Sequence, residues 1–140
     1  MIIKNTQHMT AEEMQPLWPD ILACLEKYCA RFKGETPQNI ISECAKGKRQ
    51  LWLCLDGEKV VLTPITEIET ITATGKKQLL LAEVGGSRLT ECMPLLAEIE
   101  AWAKKVHGVE TARLVGREGW KRILPEFGYA PTARIFEKRL

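Results

Sequence analysis

The chain has 140 residues, with 20 Lys and Arg against 18 Asp and Glu, 45% hydrophobic residues and 27% charged ones. These are globular values, which exclude a disordered or fibrous chain, and the length predicts one domain over residues 1–140. No apolar run approaches the ~20 residues of a membrane span, and MIIKNTQHMTAEEM lacks the apolar core of a signal peptide, so a cytoplasmic protein with no membrane partner is expected.

Taken in order, residues 1–5 predict a short first strand. Thr10 followed by Glu13 is a capping-box pattern opening a helix that Pro16 and Pro19 interrupt. Asp20 offers a new N-cap, and Ile21, Leu22, Leu25, Tyr28, Cys29 and Phe32 form the apolar stripe of a helix ending near Gly34. Thr36 as N-cap and Pro37 at the first helical position open the next helix, which Gly47 closes. Gln50–Leu55 has the texture of a buried strand, and Asp56-Gly57 is a hairpin signal. Residues 58–72 form the return strand, in which Pro64 predicts a bulge or an edge. A turn at 74–77 leads to a strand over 78–84. A long helix is predicted from about Thr90 to Val106, with Pro94 near its first turn and Gly108 ending it. Ala112–Val115 reads as a strand, and Trp120, Ile123, Leu124 and Phe127 mark a helix with Trp120 largely buried. Residues 129–140 read as a final β-rich segment.

Five cysteines (24, 29, 44, 54 and 92) form no C-x-x-C pair. They predict reduced, mostly buried thiols and no structural zinc or other metal site. Charge is uneven: from Lys104 onward there are nine basic residues against four Glu, whereas residues 1–103 carry eleven basic and fourteen acidic. Arg113, Arg117, Lys121, Arg122, Arg134, Lys138 and Arg139 suit a phosphate-bearing partner or a solvated face. A net charge near zero and the lack of a nucleic-acid motif argue against a nucleic-acid binder.

The order strand, helix, helix, three antiparallel strands, helix, strand, helix, strand, with GREGWKRILPEFGY at 116–129, resembles the GNAT superfamily of acyl-CoA-dependent N-acetyltransferases. The ending GR-x-GW…GY…EK-x-L also resembles small phage- or prophage-encoded GNAT-like proteins. The resemblance implies an α/β fold, a mixed, mostly antiparallel twisted sheet flanked by about four helices. It also implies acetyl-CoA as cofactor, held where the family has Q/R-x-x-G-x-G/A. Here that loop is Val84-Gly85-Gly86-Ser87-Arg88, without the family's glycine spacing. Its glycines would form an amide nest and Arg88 would pair with a phosphate. Arg117 falls where the family has a cofactor-contacting Asn; it would bind a ligand or pair locally with Glu118 or Glu126. The family's proton-donating Tyr is replaced by Leu124. A general base acting on an amine substrate would be a strand carboxylate, Glu67, Glu69 or Glu83, with Glu83 nearest the glycine turn. Two functions follow as expectations. One is a GNAT-like phage or prophage accessory protein, virion-associated or in the bacterial host cytoplasm, with a protein partner, retained acyl-CoA binding and self-association. The other is an active N-acetyltransferase acting on a primary amine.

Overall fold

The computed structural model describes residues 1–140. Five strands, β1 (Ile2–Asn5), β2 (Gln50–Asp56), β3 (Lys59–Thr70), β4 (Lys77–Gly86) and β5 (Thr111–Leu114), form one sheet in sequential order. The first four are antiparallel and β5 joins β4 in parallel. The helices are α1 (Ala11–Met14), α2 (Trp18–Arg31), α3 (Pro37–Ala45), α4 (Leu89–Cys92) and α5 (Leu96–His107). The expected mixed, mostly antiparallel sheet flanked by helices is the fold observed.

Both sheet faces are covered, which is why β2 shows so little alternation. Leu51, Leu53 and Leu55 face α2 and α3, in a core with Ile21, Leu25 and Ile40. Trp52 faces the other way, packing with Leu79, Leu81, Leu96 and Ile99 beneath α5. The local signals act as their chemistry predicts. Thr10 and Glu13 exchange the two bonds of a capping box, and the Thr36 hydroxyl accepts from the Asn39 N–H at 3.1 Å. Asp20 is not an N-cap: α2 already starts at Trp18, and the Asp20 carboxylate accepts the Val60 N–H at 3.1 Å, tying α2 to β3.

Two bulges shape the sheet. Cys54 and Leu55 face Leu62 and Val60, so Val61 is an extra residue in β3. Ile65 faces Glu83 while Thr66 faces Leu81, so Ala82 is an extra residue in β4. An inserted residue reverses side-chain sidedness beyond it. Leu79 and Leu81 therefore point towards α5, whereas Glu83 points to the α2 face. Pro64, expected at an edge or bulge, lies in a central strand opposite Val84, just beside the Ala82 bulge.

Pro94 interrupts the long helix. Met93–Leu95 is a 3-10 turn between α4 and α5. The C-terminal expectations need correction. Residues 118–127 form two short 3-10 segments, Glu118–Arg122 and Leu124–Phe127, because Pro125 has no N–H to continue an α-helical ladder. The predicted strand over 129–140 is absent. The Tyr129 hydroxyl donates to the Glu100 carboxylate at 2.6 Å, holding the chain against α5, and Pro131 follows at once. The tail beyond is exposed, with Phe136 at 90%.

Trp120 is half-buried rather than buried. Its ring lies so close to the Gly116 backbone that a Cβ there would be 2.6 Å from Cδ1. Partial burial lowers the expected cost of Trp120→Ala to about 2 kcal/mol, below the range for a fully buried aromatic. Urea unfolding of the variant measures it.

Candidate functional site

The Ala82 bulge ends the pairing of β4 with its parallel neighbour. Gln78–Leu81 pairs with Thr111–Leu114, but β4 runs on to Gly86 while the other chain turns away at Val115 and Gly116. Main-chain groups over 82–86 thus have β3 on one side and no strand on the other. On the α5 face of this gap lies an apolar cleft lined by Leu81, Val84, Leu89, Met93 and Trp120. Its cavity volume of about 20 Å³ holds one water at most.

On the opposite face the gap opens onto a charged cluster. Arg49, just before β2, reaches three carboxylates from three different elements. Its Nε donates to Glu67 Oε1 on β3 at 2.8 Å, and Nη1 donates to Glu83 Oε1 on β4 at 2.9 Å. Nη1 also contacts Glu35 Oε2, in the α2–α3 loop, at 3.2 Å. Glu35 is fixed in turn through its other oxygen by the Thr36 N–H at 3.0 Å and the Asn39 amide at 2.6 Å.

The electrostatics separate these groups. Burial pushes the Glu83 carboxyl up to about 7; Arg49 opposes that shift and the neighbouring Glu35 adds to it. Glu35 moves the other way. Burial disfavours its charge, but hydrogen bonds from Asn39 and Thr36 and the Arg49 cation outweigh it and hold its pKa below the usual range. Burial likewise disfavours the Arg49 cation, yet Glu83 and Glu67 hold its pKa above the usual value. Burial, then the Glu83 and Glu35 carboxylates, push Tyr28, on α2, up to about 12. Burial pushes Cys44, on α3, up to about 11. Glu83 Oε2 is buried and has no hydrogen-bond donor.

Two of the carboxylates singled out from sequence, Glu83 and Glu67, are brought together. Arg49, Glu35 and Tyr28 were missed. The loop residues carry no motif, and Arg49 lies 34 positions from Glu83 in the chain.

The loop after Val84 is more committed than expected. Gly85 lies in β4 against α2, and Gly86 has φ 118° against β3. Ser87 donates its N–H to the bulged Val61 carbonyl at 2.8 Å. Arg88, in left-handed conformation, pairs with Asp56 at 2.6 Å and with Glu91 at 2.7 Å. Arg117 lies elsewhere, exposed at the start of the first C-terminal 3-10 segment, and pairs with neither Glu118 nor Glu126; Glu118 is 3.7 Å from Arg134 instead. All seven cationic residues of the C-terminal stretch are exposed. No group of three or more His, Cys, Asp and Glu is placed to hold a metal ion, and no helix is long and apolar enough to cross a membrane.

A mixed sheet whose fourth and fifth strands part at a bulge, with a carboxylate just beyond it, defines the class of fold. It is that of the GNAT acetyltransferases. A GNAT family acetyltransferase from Staphylococcus aureus superposes with TM-score 0.65 at 14% identity, over 99% of this chain and 98% of that one. The apo aminoglycoside 6'-N-acetyltransferase AAC(6')-IG from Acinetobacter haemolyticus gives 0.70 at 14%, over 100% and 99%. A predicted acetyltransferase with acetyl-CoA from Clostridium acetobutylicum gives 0.66 at 9%, over 98% and 94%. No family model and no curated protein matches the sequence.

Proposed function

We propose that the protein is an acyl-CoA-dependent N-acyltransferase acting on a primary amine, with Glu83 as general base. The observation that carries this reading is the coincidence, at one bulge, of an open β4 edge and a buried carboxyl that titrates near neutrality. Acetyl-CoA, when bound, supplies an activated acyl thioester. The free main-chain groups of residues 82–86 suit the amide-bearing arm of such a cofactor, which supports the fit. At the phosphate end the residues are Val84, Gly85, Gly86, Ser87 and Arg88. There Arg88 would exchange Asp56 and Glu91 for phosphate, and Arg117 would be free to approach from the other side of the gap.

The chain's own contribution is proton management. An acceptor arrives as an ammonium and is a nucleophile only after losing a proton. Glu83 Oε2, unpartnered, takes that proton, while Arg49 and Glu35 fix the other side of the carboxyl group. A base with pKa near the working pH is suited to this exchange. Glu67 shares Arg49 and holds it in place. The departing thiolate has no tyrosine donor at Leu124; Tyr28, beside Glu83, is the tyrosine on the cluster's side.

A second reading is favoured by the commitments of Ser87 and Arg88 and by Leu124. It is an accessory protein of phage or prophage type, virion-associated or in the host cytoplasm, that keeps the fold and acts through a protein partner. Titration calorimetry with acetyl-CoA separates the two. The enzyme reading expects a saturable isotherm; no heat at about millimolar ligand, far weaker than ordinary cofactor affinity, leaves the accessory reading. The accessory reading also expects Glu83→Gln and Arg88→Ala to leave the biological role intact.

A further inference from the structure

We propose that the basin formed by Glu35, Glu67 and Glu83 around Arg49 binds a ligand with two ammonium groups, an aliphatic diamine or a larger molecule presenting one. The charge count leads there. Three carboxylates converge on one guanidinium, and none of them has another cationic partner. With all three ionised, the basin lacks two positive charges. The other titratable groups facing it add none: Tyr28 and Cys29 on α2 and Cys44 on α3 are all held towards their neutral forms by burial.

A second observation locates the deficit. The Glu83 side chain is 9% exposed, and its Oε2 has no donor. Its neighbour Glu35 is a like charge. Such an atom is satisfied either by a proton on Glu83 or by a cation between the two carboxylates. One ammonium at Glu83 Oε2 therefore replaces the proton that Glu83 otherwise keeps. A second ammonium finds Glu67, 28% exposed, whose Oε2 is free at the mouth of the basin. Arg49 stays as the brace that spaces the two carboxylates. A metal ion does not meet the need, since the carboxylates are arranged around a planar guanidinium rather than a point.

The inference rests on the acyl-transfer reading only in calling this ligand the acceptor; the binding itself does not. The test is calorimetry on the full chain at about pH 7 and low salt, with 1,4-diaminobutane and with butylamine, in two buffers of different ionisation heat. The diamine is expected to bind about tenfold tighter or better, the increment of one charge-assisted hydrogen bond, and to release protons into the buffer. Glu67→Gln is expected to remove most of that preference, and Glu35→Gln serves as the second variant should the first fail to fold. Equal binding of the two amines, or binding of neither by protein that melts cooperatively, overturns the inference and leaves the acyl-transfer reading to its acetyl-CoA titration. Diamine binding without acetyl-CoA binding supports the inference and removes the acyl-transfer reading.

Discussion

Glu83→Gln is expected to lower the acyl-transfer rate by about 10²–10⁴-fold, the usual contribution of a positioned general base, and to stabilise the protein at the same time. The two effects share a cause. The Glu83 carboxyl titrates at about 7 in the fold, above its ordinary value, so the folded protein holds a proton that the unfolded chain has already lost. For a carboxyl raised in this way, stability falls as pH rises from the unfolded value through the folded one, and the full cost is present above about pH 7. Glutamine has no such proton to lose. The variant is thus expected to gain up to roughly 3 kcal/mol at pH 8, shrinking to a fraction of that by pH 5. Thermal melts across this range, run beside a pH–rate profile of the wild type with a limb near 7, check both halves. A rate loss accompanied by lower stability at pH 8 would mark Glu83 as a packing residue.

The second large effect is expected at Gly85. A Cβ there would sit 2.4 Å from the Cys24 carbonyl oxygen, 3.0 Å from the Cys24 carbonyl carbon and 3.2 Å from Tyr28 Cβ. Two of these are backbone atoms of α2, which no rotamer change can move. Relief requires α2 to move off the sheet, although Ile21 and Leu25 on the same helix are fully buried. Gly85→Ala is therefore expected to cost about 3 kcal/mol or more, at the upper end of overpacking penalties, and Gly86→Ala a similar amount. At Gly86 the backbone has φ 118°, and a Cβ would be 2.4 Å from the Val61 carbonyl oxygen. Denaturant unfolding gives both values. The paired glycines are explained by close approach of β4 to α2 and β3, whatever anion their loop also meets.

The N-terminal two-thirds was legible because most of its elements carry their own punctuation, the uncapped start of α2 at Trp18 being the exception. Thr10 with Glu13, Thr36 with Pro37, and Asp56 with Gly57 mark boundaries whose chemistry is local. The last thirty residues carry texture without that support. Ile123, Leu124 and Phe127 do pack beneath α5, so their apolar spacing was informative, but Pro125 sets the backbone they pack with. Ile135 and Phe136 look strand-like, yet strand texture needs a neighbouring strand, and the Tyr129–Glu100 bond keeps the chain away from β5. In the site, Glu83 and Glu67 were readable as carboxylates on the central strands, Glu83 at a strand end. Their meeting at Arg49 was not, since it depends on a long-range arginine contact and on a bulge at Ala82, a residue that marks nothing.

That bulge makes sidedness in β4 a matter of counting. The stretch Glu83–Gly86 runs half a period out of phase with Gln78–Leu81, and a single uncommitted alanine sets the offset. Most substitutions at position 82 would leave the phase alone. Removing Ala82 would iron the bulge out and leave Glu83 opposite Ile65 on its present face. Pairing Ala82 itself with Ile65, with every side chain unchanged, would instead slide Glu83 opposite Pro64 and turn it towards Met93 and Leu96. In such a strand the polarity of each face is set by which residue the bulge leaves out, so a one-residue slip of an unchanged sequence can move a titrating group from one side of the sheet to the other.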